Sequence, residues 1–174
     1  MKAGIRTAVL VSLVGLACGA SASVGGASGS LTACTGNVLT GTFRVVPGSA
    51  GAGNIVYALR LRNSSHATCF VTGIPGLTLL DSRRRALPTH ATPAHPGMLT
   101  AVLVRLAPGS SARATARFSR DVPGPGEPTT RACERTAEGL RVAPSGGGTL
   151  VAPVTPPTPV CEHGGMTMTV LTPA

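Results

Sequence analysis

The sequence predicts an all-β chain, a two-sheet antiparallel β-sandwich of the immunoglobulin-like kind with two disulfides. Three observations carry that prediction. Apolar and outward residues alternate with period two, most clearly Ile55, Tyr57, Leu59 and Leu61 against Val56, Ala58, Arg60 and Arg62. There are 23 Gly and 15 Pro among 174 residues, which calls for frequent turns and leaves no room for long helices. Four cysteines, Cys34, Cys69, Cys133 and Cys161, form an even set in a chain that begins like an exported one.

The first 22 residues read as a signal peptide. Lys2 and Arg6 supply the positive start, Ala8 to Ala17 the apolar run, and Ala20-Ser21-Ala22 a small-x-small cleavage site. The mature start is expected near Ser23. The apolar run is too short to span a bilayer, which takes roughly 20 residues. Leu16-Ala17-Cys18 also resembles a bacterial lipobox, so Cys18 is a candidate lipid anchor. Gly15 and Leu16 fit that pattern poorly. Either route places the protein outside the cytoplasm, secreted or in the cell envelope.

Residues 23–33 are small and polar, a flexible lead-in. Residues 34–174 fit one domain. Val38 to Val46 reads as the first strand, closed by Pro47-Gly48. A Gly-rich loop leads to the alternating stretch over Ile55 to Arg62, and Asn63-Ser64-Ser65 carries turn chemistry. Cys69 to Thr72 is a short strand, broken by Gly73-Ile74-Pro75-Gly76. Leu77 to Asp81 resumes it, and Arg83-Arg84-Arg85 follows in a turn. Leu87 to Met98 reads as a loop. Leu99 to Leu106 is a strand, and Ala112 to Ser119 is another with one wet face. Asp121 to Pro128 is a loop, and Thr130 to Ala137 reads as one or two helical turns. Leu140 to Ala143 and Leu150 to Ala152 are short strands. Pro153 to Pro159 reads as a polyproline-like connection. Met166 to Leu171 closes the fold.

With no Trp, one Tyr and three Phe, the core must be filled by Val, Leu, Ala and Thr. Four cysteines allow three connectivities. Cys34–Cys69 and Cys133–Cys161 are expected, since each pair ties a terminal segment to its neighbour, at about 2–4 kcal/mol per bridge. No C-x-x-C pair is present, which argues against cysteine-type zinc and thioredoxin chemistry.

The order Cys34, Gly51-Ala52-Gly53-Asn54, Leu59-x-Leu61-x-Asn63-x-Ser65, Cys69, Gly73-Ile74-Pro75-Gly76 and Leu79-Leu80-Asp81 resembles the DUF4232 family of actinobacterial exported proteins and lipoproteins. Leu106-x-Pro108-Gly109-x-x-Ala112, Cys133, Leu140-x-Val142-x-Pro144, Cys161 and Val170-x-x-Pro173 continue the likeness over nearly the whole mature chain. Family members often carry an aromatic residue where Ile74 stands and a Trp near Phe118, so this core is less aromatic. The resemblance implies a β-sandwich and an exported location. It brings no catalytic residues and no cofactor.

Without the leader, 13 basic residues face 6 acidic ones, and every remaining base is Arg. Such a balance favours an anionic partner. Arg60, Arg62, Arg83, Arg84, Arg85, Arg113 and Arg117 are the candidate patch, provided their strands lie side by side. An unknown protein or an anionic envelope polymer is the expected partner. Single-stranded nucleic acid usually needs stacking aromatics, and only four exist here, so it is not expected. There is no G-x-S-x-G and no H-E-x-x-H, and no enzyme is expected. The expected function is a non-catalytic binding or structural module. The alternative is a soft-metal protein, with His163, Met166 and Met168 as copper(I) ligands beside Cys161, and a looser set at His90, His95 and Met98.

Overall fold

The computed structural model describes residues 30–97 and 102–174. The signal peptide, Cys18, the mature start, Met98 and the start of the strand expected at Leu99 lie outside the described residues. Eleven strand segments are formed among the described residues: β1 (Leu39–Val45), β2 (Asn54–Asn63), β3 (Cys69–Val71), β4 (Gly76–Leu80), β5 (His90–Pro93), β6 (Val104–Leu106), β7 (Ser111–Ser119), β8 (Ala137–Ala143), β9 (Leu150–Thr158), β10 (Gly165–Met168) and β11 (Thr172–Pro173). The all-β class and both disulfides are as expected. Cys34 is bonded to Cys69 and Cys133 to Cys161, with Cα separations of 5.1 and 5.4 Å.

The pairing differs from two separate antiparallel sheets. Hydrogen bonds run without a break along β4-β8-β9-β1-β2-β7-β10-β5, and β11 branches from β7. Only β3 and β6 stand apart, as a two-stranded sheet. Two pairs in the long path are parallel, β1 with β9 and β5 with β10. The joint is β9. Leu150 to Pro153 pair with β8, and Val154 and Thr155 pair with Phe43 and Arg44 of β1. This is also why the expected polyproline connection is a strand. Pro fixes an extended φ but offers no N–H, and this strand pairs with β8 up to Pro153, with β1 at Val154 and Thr155, and with β8 again where Thr158 stands opposite Ala137.

Other segments depart from expectation in smaller ways. The loop expected at Leu87 to Met98 contains β5, held by its parallel partner β10. Thr130 to Thr136 forms bends and no helix before β8 begins at Ala137. At the end of the stretch expected to be a flexible lead-in, the Thr32 carbonyl accepts from the Phe70 amide, and the Cys34 amide donates to the Phe70 carbonyl, so the chain next to the first disulfide is tied to β3.

The alternation in β2 has the consequence it should. Ile55, Tyr57, Leu59 and Leu61 are buried, and Arg60 and Arg62 are exposed. One core collects these with Phe43, Leu79, Ala112, Ala114, Ala116, Phe118, Leu140 and Val142. Three of the four aromatics meet there, Phe43 with Tyr57 at 5.1 Å between ring centroids and Tyr57 with Phe118 at 5.3 Å. The Tyr57 hydroxyl donates to the Pro156 carbonyl at 2.8 Å, so its burial leaves no stranded donor. Asn63 is wholly buried and closes the turn after β2. Its amide donates to the carbonyls of Ala67 and Leu106 and its oxygen accepts from Ser65.

Candidate functional site

The outward face of β1, β2 and β7 is the first candidate. The register sets Arg62 between Thr40 and Ser111, Arg60 between Thr42 and Arg113, Ala58 between Arg44 and Thr115, and Val56 opposite Arg117. Arg44, Arg60, Arg62, Arg113 and Arg117 are all exposed. Thr167 of β10 and Thr172 of β11 extend the same face beside Arg117 and Arg113. None of these five arginines enters an ion pair among the described residues. Arg62 donates from Nε to the Gly109 carbonyl at 3.1 Å, which anchors it at the end of the strand. Arg117 reaches a cleft of about 430 Å³ whose other polar residues include Asn54, His90, Glu162 and Thr167.

The structure splits the expected seven-arginine patch. Arg60, Arg62, Arg113 and Arg117 come together, and Arg44 joins them unforeseen. Arg83, Arg84 and Arg85 follow β4, the first strand of the path and separated from β1 by β8 and β9, and turn around Asp81. The Asp81 carboxylate accepts the amides of Arg83 and Arg85 at 2.9 Å each, the Arg85 Nε at 3.1 Å and an Arg135 guanidinium N–H at 3.1 Å. The Arg85 amide, acting against desolvation and helped by the Arg83 amide and the Arg85 side chain, holds this carboxyl below the ordinary aspartate range. Asp81 is thus satisfied by the arginine side chains and amides around it.

The second candidate is the junction around the Cys133–Cys161 bridge. Cys161–Gly164 makes one short turn in which Glu162 and His163 have φ of 58° and 56°, the left-handed region. Their successive amides converge on one carboxylate. Glu127 accepts from Gly124 at 2.7 Å, from Glu162 at 2.8 Å and from the His163 amide. Its side chain is only 2% exposed. Burial pushes the Glu127 carboxyl up, but the amides of His163, Gly124 and Glu162, with the nearby His163 ring, outweigh it and bring it below the ordinary glutamate range. The sequence offered no sign of Glu127 or Glu134 as partners of His163. Both sit in stretches read as loop or helical turn.

Of the soft-metal set, Met166 and Met168 are buried in the core and Cys161 is disulfide-bonded, while the His163 ring is half exposed. Met166 and Met168 face inward because they alternate along β10, while His163 lies outside that strand, in the turn that precedes it. His90 is exposed on β5 and His95 is exposed in the turn after it.

A family model described as a domain of unknown function, DUF4232, matches residues 34–172. The chain belongs to the DUF4232 family. No curated protein and no solved structure matches it. The matched span takes in both disulfides, the arginine face and the Glu127–His163 junction, so each belongs to the DUF4232 domain itself. No helix among the described residues is long and apolar enough to cross a membrane.

Proposed function

We propose that this DUF4232 protein is an exported, non-catalytic binding module of the cell envelope or extracellular space, which takes an anionic polymer on the arginine face of β1, β2 and β7. One observation carries the reading: Arg60 stands directly across from Arg113, and among the described residues neither is paired with a carboxylate. Like charges opposed on adjacent strands are unfavourable. A repeating anion would relieve that repulsion, and its charges can bridge several guanidinium groups at once, each a forked donor suited to phosphate or carboxylate. The threonine rows beside the arginines add hydroxyl donors. The two disulfides and the expected leader support an oxidising compartment. The test is retention on immobilised long-chain polyphosphate, eluted with salt. Exchanging Arg60 and Arg113 for Ser is expected to lower the eluting salt concentration markedly. Exchanging Arg83 and Arg84 should change it little. Equal losses from both pairs, or none from the first, would show that bulk charge and not this face does the binding.

The fold reading belongs with this proposal. In β1-β2-β7 the sequence order reproduces the A-B-E neighbours of an immunoglobulin sheet, and β4-β8-β9 reproduces C-F-G. We infer a sandwich of that type whose first strand is shared, pairing antiparallel with β2 on one side and parallel with β9 on the other. Such a sharing joins the two sheets into one path.

A further inference from the structure

His163 is held in a way that a surface histidine does not require. Its Nε2 lies 3.0 Å from the Pro125 carbonyl oxygen. A carbonyl only accepts, so Nε2 carries the proton, and in the neutral ring Nδ1 keeps its lone pair. Nδ1 stands beside two carboxylates, with Glu127 Oε1 at 3.7 Å and Glu134 Oε1 at 3.9 Å. Both separations exceed those of N–H···O hydrogen bonds, so a second ring proton would find no good acceptor there. They do fit two ligands sharing one ion. Zinc bonds to nitrogen and oxygen of about 2.0–2.2 Å allow ligand atoms to stand up to about 4.2 Å apart. His163, Glu127 and Glu134 each bring a ligand atom within 4.8 Å of one from each of the other two. A backbone carbonyl on the far ring nitrogen is the outer contact that metal-binding histidines habitually make, because it fixes the tautomer.

The geometry points to a divalent-cation site for zinc or a similar borderline metal, held by His163 Nδ1, Glu127 Oε1 and Glu134 Oε1. It is separate from the arginine face and does not depend on it. Two carboxylates and a neutral imidazole balance a double positive charge. The ligands are also pre-positioned. Three backbone amides fix Glu127, and the Cys133–Cys161 bridge joins the residue beside Glu134 to the turn that carries His163. With the His163 side chain 53% exposed, the solvent side is open for a water or a further ligand to complete the shell.

The experiment is calorimetric titration of zinc chloride into the disulfide-intact protein after removal of metals by chelation, paired with thermal melting. One zinc per chain is expected, with a raised melting midpoint, since the ion binds the folded form. Glu134→Gln and His163→Gln should each weaken binding at least about tenfold, losing a ligand being no milder than losing an outer contact. His95→Gln should leave it unchanged. Glu127→Gln is a poorer variant because it also disturbs the three amides. Absence of stoichiometric binding overturns the site. So does binding that survives both the Glu134 and His163 exchanges, or that His95→Gln weakens as much, for the zinc would then sit on scattered histidines.

Discussion

Arg113 is where charge and architecture pull in opposite directions. It faces Arg60 across β2 and β7 on a strand whose other face is packed with Ala112, Ala114 and Ala116. Replacing it by Thr removes a like-charge pair and installs a residue suited to strands. Arg113→Thr should therefore stabilise the fold by about 0.2–1 kcal/mol at low ionic strength, and less at high salt, where exposed charges are screened. Retention on polyphosphate should fall in the same variant. Urea melts at two salt concentrations check the first half, and a variant that is less stable at low salt would mean the Arg113 stem packs on the sheet more than its charge repels. The outward direction of Arg60, Arg62, Arg113 and Arg117 was legible from period two alone. Their adjacency was not, because the two strands are separated by the whole of β3 to β6. Arg83 to Arg85 look alike in sequence, but a turn built on Asp81 uses their amides and the Arg85 side chain. Glu127 was illegible for a related reason: its partners are backbone amides, which every residue carries.

At the scale of elements, Gly164 shows how a turn fixes its neighbours. Its φ is 78°, and a Cβ there would lie 1.9 Å from the Pro88 carbonyl oxygen. Gly164→Ala cannot be absorbed by a side-chain shift, because the obstacle is backbone. The left-handed conformation alone costs a non-glycine residue about 1–2 kcal/mol, and parting the turn from the approach to β5 adds to that. The variant should melt clearly below the parent, whereas Gly48→Ala, strained in φ but with nothing among the described residues within 4 Å of a Cβ, should lose only the conformational part. Equal losses in the two would mean that the contact with Pro88 contributes nothing. Nothing in the sequence names Pro88 as the neighbour of Gly164. Past the short strand at Leu150 to Ala152, the rest of β9 likewise reads as a connection, since Pro argues against a strand in the middle of a sheet. That rule yields here because β9 changes partner at Val154. The expected helical turn at Thr130 to Ala137 failed where Cys133 is bonded across to Cys161 and Arg135 is drawn to Asp81.

For the molecule as a whole, acid is the sharpest stress. Only six carboxylates offset its arginines, and the two most buried, Asp81 and Glu127, both have lowered pKa values. A carboxyl that is easier to ionise when folded adds stability above its unfolded pKa, about 3.9 for Asp and 4.3 for Glu. That stability fades as pH falls through the lower folded value, because the unfolded chain then binds the protons first. Protonating every carboxylate and histidine also leaves a chain carrying cations alone, which repel. Stability should thus hold from neutral pH down to the ordinary carboxyl range and then drop steeply. Asp81→Asn should be less stable than the parent at pH 7, because Arg85 and Arg135 lose their counter-charge, and should approach it at the acid end, where the parent's Asp81 is protonated too. Added salt should recover part of the loss at low pH by screening the repulsion. Urea midpoints for the two proteins across that pH range decide the matter. A constant gap between them, wide at pH 7 and equally wide in acid, would show that Asp81 acts through packing of its turn and not through its charge.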